Sequence, residues 1–376
     1  MWIRALRLKD FRNYELLELE LGEGLNFFTG SNGSGKTSIL EAVSYLAVAR
    51  SLRGANDGEV VRWGSPSFGV GGDIVSDGAV RTSSLRFKKG GRKEVTLDGE
   101  KQTHLSDVVG VLRVAWFCPE DTWLTKGGPA ERRRLMDMTL CQLDPVYLNA
   151  LSNYRRALRQ RNEALISWTP DEASEALVGV WTERLIHYGS RVTAGRIGLL
   201  PRLADAVVDF HRSIAGTGDL SLRYRSSAIG AAPSDEVPAT EEEVRLRFAD
   251  SLERAAADER RRGFTLVGPH RDDLEVRLGG RALRTFGSQG QHRTAAIALK
   301  LGEAAVLDSD GRGVVVLLDD IMSELDDERA ASLIDLVGGL GQALMTSTRS
   351  APAASAGHDS RSFVVEDGEV RRSEMG

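Results

Sequence analysis

Gly30-Ser31-Asn32-Gly33-Ser34-Gly35-Lys36-Thr37 satisfies the pattern GxxxxGK[ST] at every fixed position. Glycines at that spacing let successive backbone N–H groups turn toward one anion. Lys36 can then reach the β- and γ-phosphates of a nucleotide, and the Thr37 hydroxyl can hold Mg²⁺. The bland alternative is a glycine-rich turn carrying a surface lysine, and the context argues against it. The short apolar segment Leu25-Asn26-Phe27-Phe28 precedes the loop. An amphipathic helical pattern over 38–49, with Ile39, Leu40, Ala42, Val43, Leu46 and Ala47, follows it. Strand, loop and helix in that order put the phosphates at a helix N-terminus, where the dipole favours them. Gly30 through Ser38 is therefore the candidate phosphate cradle.

A second signal lies far along the chain. Val314-Val315-Val316-Leu317-Leu318 is continuously apolar and ends in Asp319-Asp320. Such a run marks a central parallel strand buried on both faces. Its carboxylates then stand at the C-terminal edge of the sheet, beside the phosphate loop. Asp319 is the candidate Mg²⁺ ligand together with Thr37, and Asp320 is placed to position the attacking water. Lys36 and Asp320 are thus the candidate catalytic residues, with ATP and Mg²⁺ as cofactors. The competing reading is a strand end with two solvated acids.

The elements that must carry these residues are legible in outline. Ile3 to Leu8 and Leu16 to Leu21 alternate apolar with charged residues, as half-buried strands do. Short β-like segments return over 60–117, and Asp98-Gly99 predicts a hairpin turn. From Gly127-Gly128-Pro129 to about 215 the chain reads as helical. Residues 226–240 read as an exposed loop, 240–260 as a charged helix, and Phe264–Val267 and Leu274–Leu278 as strands. A further helix starts after Gly290, and the Ala/Ser-rich stretch 350–358 reads as a surface loop. The expected division is an α/β lobe over 1–126 and 264–376, with a helical lobe over 127–263.

Composition excludes other classes. The 376 residues are 41% hydrophobic and 27% charged, ordinary for a globular protein and unlike a collagen, a disordered chain or a disulfide scaffold. The two cysteines, Cys118 and Cys141, form no CxxC, which argues against a zinc site and for a reducing, cytoplasmic setting. Met1-Trp2-Ile3-Arg4 does not open a signal peptide, and no apolar run reaches the length of a membrane span. The net charge of −5 makes no global case for nucleic acid, although affinity follows local potential.

Gly287-Ser288-Gln289-Gly290-Gln291, before a helix and upstream of Asp319, resembles the signature loop of ABC-type ATPases. Ser323-Glu324-Leu325-Asp326 resembles their D-loop. Within that class the chain resembles the RecF family of bacterial recombination mediators, from end to end and in order. The matching segments are Asp10-Phe11-Arg12-Asn13-Tyr14, Cys118-Pro119-Glu120-Asp121, Gly127-Gly128-Pro129 with Arg132-Arg133-Arg134, Leu266 to Asp273, and Leu317 to Asp326. The resemblance is weakest in the middle third.

The resemblance implies an ABC-type ATPase head of two lobes. Two heads would sandwich two ATP molecules, so that Ser288, Gly290 and Gln291 of one subunit meet the nucleotide on the other. It implies a homodimer formed on ATP, slow DNA-dependent hydrolysis, and binding to duplex DNA or single-strand/duplex junctions at gaps. It further implies joint action with RecO and RecR in placing RecA. Arg12 and Asn13 are near the nucleotide by resemblance and turn residues otherwise. Pro119-Glu120 falls near a Q-loop position that holds no glutamine, and Thr346-Ser347-Thr348 stands where a switch histidine is expected. The first departure removes the residue expected to sense the γ-phosphate; the second, with Asp320 in place of a glutamate, points to weak hydrolysis.

Seven arginines against three acids lie between Glu131 and Asn162. Arg132, Arg133, Arg155 and Arg159 are the candidate DNA contacts, with Arg155, Arg159 and Asn162 sharing one helix face and Tyr154 nearby. A solvated face with internal ion pairs is the competing reading. An SMC-type coiled-coil ATPase is disfavoured because 127–263 shows no sustained heptads. A membrane transporter's ATPase subunit is disfavoured by the long interval from Thr37 to Ser288. His270 and Arg271, after Gly268-Pro269, are a buried turn anchor or a site.

Overall fold

The alternation of β1 (Trp2–Phe11) sorts Leu6 and Leu8 to the interior and Arg7 and Lys9 to the outside, and a six-stranded antiparallel sheet forms on that pattern. Its order is β2-β1-β4-β5-β6-β7, with β2 Tyr14–Glu20, β4 Ser67–Ser76, β5 Ala79–Lys88, β6 Glu94–Leu97 and β7 Glu100–Gln102. The expected hairpin at Asp98-Gly99 joins β6 to β7, both residues at positive φ (52° and 84°). In this computed structural model residues 1–216, 219–229, 240–325, 327–348 and 359–373 are described.

A second six-stranded sheet has the order β15-β14-β3-β13-β12-β8. Its members are β3 (Leu25–Thr29), β8 (Val114–Phe117), β12 (Val315–Asp319), β13 (Ala343–Ser347), β14 (Ser360–Glu366) and β15 (Glu369–Ser373), all parallel except β15. β12 and β13 are buried at every position, as the continuous apolar run requires. Helix α1 (Lys36–Val48) contacts strands of both sheets and is buried along nearly its whole length. The amphipathic helix expected over 38–49 is therefore covered on both sides. Its buried Glu41 is met by Arg12 and Ser51.

Packing divides the chain into Met1–Asp121, Ser213–Gly216 and Ala296–Gly376 on one side, and Thr122–Arg212 and Thr217–Ala295 on the other. The boundary expected at 264 is corrected: 264–295 joins the helical unit. The reason is pairing, because β10 (Asp273–Leu278) lies antiparallel to β9 (Leu220–Arg225) and to β11 (Arg281–Ala282). The helices of this unit follow the sequence pattern closely: α4 (Pro129–Leu143), α5 (Pro145–Ile166), α6 (Glu172–Ala215, running on into the first unit) and α7 (Glu241–Arg262). Thr240 and Glu243 cap α7 reciprocally.

Phe264–Val267 is not a strand. The backbone N–H groups of Thr265 and Leu266 donate instead to the Asn162 and Glu259 side chains. Of the loop expected over 226–240, Ser226 and Ala228 are buried and Ser227 donates to Asp272, whereas 230–239 lies outside the described residues. The stretch 350–358 also lies outside them.

The Gly268–Asp273 segment is an anchor. Gly268 has φ 135°, and a Cβ there would sit 2.6 Å from the Tyr154 hydroxyl. His270 Nε2 donates to the Thr265 carbonyl at 3.2 Å, which leaves Nδ1 to accept from Tyr154 Oη at 2.6 Å. Burial pushes the imidazole down to about 4. An unfolded histidine takes up a proton near pH 6.5, so His270 favours the native state above that pH and this contribution is lost as pH falls toward 4. The melting temperature is expected to fall over that interval, and to fall less in His270→Asn. Equal slopes would assign the acid sensitivity to other groups.

Candidate nucleotide site

The phosphate loop leaves β3 at Thr29 and enters α1 at Lys36. Gly30, Gly33 and Gly35 all have positive φ (157°, 82° and 116°). Gly35 is fixed by contact as well, since a Cβ there would lie 2.5 Å from Asn13 Nδ2 and 2.7 Å from Tyr14 Oη. Those two side chains support the loop from outside: Asn13 donates to the Ser34 carbonyl (3.0 Å) and Tyr14 to the Gly35 carbonyl (3.1 Å). Arg12 stands between β1 and β2 at φ 55°, an unusual conformation for a long side chain. A bidentate pair with Glu41, both contacts 2.7 Å, and a bond to the Glu59 carbonyl hold it there. The hydrogen bonds to Glu41 raise the guanidinium's pKa above its ordinary value. Arg12 and Asn13 are turn residues between β1 and β2, and both line the cleft beside the loop.

That cleft has a volume of about 800 Å³ and extends from the phosphate loop to Asp319, Asp320 and Thr346. Its size is that of a small-molecule site, roughly 300–1,000 Å³. Thr37 Oγ1 donates to Asp319 Oδ1 at 2.8 Å, and Thr346 Oγ1 donates to the same oxygen at 2.9 Å. Thr346 also accepts from the Asp320 N–H. The residue at the expected switch position thus orients both acids. Asp320 takes a left-handed conformation, φ 51°, as it turns out of β12. Burial raises the Asp319 pKa, against the hydrogen bonds from Thr37 and Thr346. Burial lowers that of Lys36, whose ammonium donates to the Gly30 and Ser31 carbonyls while Asp320 and Asp319 pull its pKa up.

The donor set fits a bound polyphosphate. Ser34 Oγ is buried and has no hydrogen-bond partner among the described residues. The N–H groups of Gly33, Gly35, Lys36 and Thr37 find no acceptor among them either. Thr37 beside Asp319 is a hydroxyl and a carboxylate of the kind that holds hydrated Mg²⁺. Among the described residues no cluster of three His, Cys, Asp or Glu offers another metal site.

The signature-like loop belongs to the second unit. Ser288 caps α9 (Gln289–Leu307): its Oγ accepts from the Gln291 N–H at 3.3 Å, and Gln291 Oε1 accepts from the Ser288 N–H at 2.9 Å. Ser288, Gly290 and Gln291 are exposed, and a Cβ at Gly290 would meet no atom within 4 Å. Of the D-loop-like segment, Asp326 lies outside the described residues. Cys118–Asp121 follows β8, with Asp121 accepting from the Cys118 N–H.

The arginines expected to meet DNA need correction. Arg132 is only 3% exposed, paired through two bonds with Asp273 and donating to the Leu124 and Gly127 carbonyls. Arg133 donates to the Asp272 carbonyl, and burial lowers its pKa. Arg132 is held inward by a carboxylate distant in sequence, and Arg133 by a backbone carbonyl beside it. Arg155 is half exposed and pairs with Asp137 at 3.3 Å. Arg159 is exposed, while its supposed neighbours Tyr154 and Asn162 bond to His270 and Thr265. The sequence reading missed Arg53, Arg62 and Trp63, which line the nucleotide cleft. A tryptophan between Arg62 and Gly64, in a polar turn, was the available signal.

A phosphate loop feeding a buried helix, a carboxylate-ended strand one place removed from it, and a serine-capped signature helix define an ABC-type ATPase head. The RecF/RecN/SMC N terminal domain model matches residues 2–370. The chain belongs to the RecF family of DNA replication and repair proteins. It is 39% identical over 361 residues to the RecF of Salinibacter ruber (94% of this chain, 86% of that one) and 36% identical over 350 residues to that of an Exiguobacterium strain (93% and 92%). A solved structure of the recombination mediator protein RecF with ATP in the RecFOR pathway superimposes with TM-score 0.89, at 30% identity over 99% of this chain and 98% of that one. A Pyrococcus yayanosii Smc head shares the fold, with TM-score 0.56, 15% identity and coverage of 100% and 97%. No described helix is long and apolar enough to cross a membrane.

Proposed function

We propose that the protein is an ATP-switched, DNA-binding recombination mediator. Two copies close around two ATP molecules, bind duplex DNA or single-strand/duplex junctions at gaps, and act with RecO and RecR to place RecA. The observation that carries the reading is the Thr37–Asp319 contact beneath the phosphate loop, joining the two halves of a Mg²⁺-nucleotide site. Lys36 and the loop N–H groups would hold the β- and γ-phosphates, and Thr37 and Asp319 the metal, whose charge offsets that of the phosphates. Asp320 would position water at the γ-phosphate. Its side chain is one methylene shorter than glutamate, so turnover is slow and serves as a timer. Ser288, Gly290 and Gln291 serve the partner's nucleotide: the bare approach at Gly290 and the exposed helix N-terminus suit an anion arriving from outside the subunit.

For DNA, the outer face of the antiparallel sheet is better suited than the arginines of α4. Gly69, Gly71 and Ser84 floor a groove of about 700 Å³, flanked by Lys9, Arg86, Lys88 and Arg92. Arg86 faces Glu94 across the strands, whereas Lys9, Lys88 and Arg92 pair with no carboxylate among the described residues. Phosphates are bound by such cations in a salt-sensitive, sequence-independent way. Lys88→Glu with Arg92→Glu is expected to weaken duplex binding in the presence of ATP and to make the slope of log affinity against log salt shallower by about 2. An unchanged slope would remove this face from the DNA contact.

A further inference from the structure

Trp63 is 97% exposed, although tryptophan is ordinarily among the better-buried side chains. It lines the nucleotide cleft and makes no ring contact among the described residues.

Its backbone is held firmly. Val61 bridges to Phe11, Arg12 N–H donates to the Val60 carbonyl at 2.7 Å, and Arg62 N–H donates to the Asp10 carbonyl at 2.8 Å. The turn closes through Ser65 N–H to the Arg62 carbonyl, with Gly64 at φ 85°. Ser65 Oγ donates to Asp10 at 2.7 Å, and Arg62 pairs with Glu15 at 3.0 Å. The turn that carries Trp63 is thus fastened to Asp10–Arg12. The next two residues, Asn13 and Tyr14, fasten the phosphate loop. One stretch of backbone therefore sets both the aromatic ring and the phosphate cradle.

A nucleoside di- or triphosphate with its phosphates on the loop must send its base into the remainder of the same cleft. There an indole offers a flat face and Arg62 and Arg53 offer cations. Base–aromatic stacking requires no edge recognition and grows with ring area, so it favours purines over pyrimidines and distinguishes poorly between adenine and guanine. We infer that Trp63 is the base-stacking residue of this site and gives it a preference for purine nucleotides. The inference rests on the nucleotide reading above.

The test is calorimetric titration of the full chain, wild type, Trp63→Phe and Trp63→Ala, with MgADP, MgUDP and magnesium pyrophosphate. Diphosphates avoid the dimerisation expected with ATP. With the stacking ring removed, Trp63→Ala is expected to lose roughly tenfold in affinity for MgADP. It should bind pyrophosphate as the wild type does, show a narrower gap between MgADP and MgUDP, and be largely rescued by phenylalanine. Unchanged MgADP affinity in Trp63→Ala overturns the inference, and so does an equal loss for pyrophosphate. So does a variant that binds MgADP normally but no longer dimerises with ATP, which would make Trp63 an interface residue. If the wild type binds neither MgADP nor pyrophosphate, the nucleotide reading itself fails.

Discussion

Lys36→Met is expected to lower affinity for MgATP by about 100-fold or more while the chain stays folded. Lys36 is buried at the start of α1, and its ammonium meets the Gly30 and Ser31 carbonyls at 2.8 and 2.7 Å. Those carbonyls are weak partners for a buried charge compared with phosphate oxygens. Hydrogen bonds between charged groups contribute about 1.5–3 kcal/mol each, and two of them amount to a factor of about 100 or more. Methionine keeps most of the apolar stem and removes only the charge, so thermal unfolding should remain cooperative. Titration with MgATP beside a melt separates the two effects. Affinity within threefold of wild type would mean that the Lys36 amine does not meet phosphate.

Ser288→Arg is expected to abolish ATP-induced dimerisation and leave MgATP binding within a factor of two or three. Ser288 is exposed and lies outside the cleft that holds Lys36, Thr37 and Asp319. Within the subunit its task is to cap α9, and loss of such a cap costs about 1 kcal/mol. A small fall in melting temperature is therefore expected, without loss of the nucleotide site. In the proposed sandwich the same substitution would put a long side chain where the partner's γ-phosphate is expected. A variant that binds ATP and still dimerises would place Ser288 outside the interface.

How much of this was legible in the sequence depended on how local the determinants are. The phosphate loop and Asp319 were legible because their chemistry fixes residue types over a short span. The Thr37–Asp319 contact joins residues 282 apart, yet each end carries its own signal. The roles of Arg132 and Arg133 were not legible, because an arginine-rich helix reads alike whether its charges face water or a buried acid. Asp273, which captures Arg132, lies 141 residues away. The boundary at 264 failed for the same reason: pairing of β10 with β9 draws the segment into the helical unit. Phe264–Val267 has strand-like residues, but side chains of Asn162 and Glu259 take the N–H groups a neighbouring strand would have taken. Trp63 was missed because exposure is a tertiary property, set by the fastening of its turn to Asp10–Arg12.

The central claim is that ATP, through the site around Lys36 and Thr37, drives two copies together and so governs DNA binding. The most direct test is the molar mass of the wild-type protein by light scattering with MgATP, with MgADP and without nucleotide, each with and without a short labelled duplex. A dimer with MgATP alone, accompanied by salt-sensitive binding of the duplex, is the expected result. A monomer in all three nucleotide states, with duplex binding indifferent to nucleotide, would contradict it.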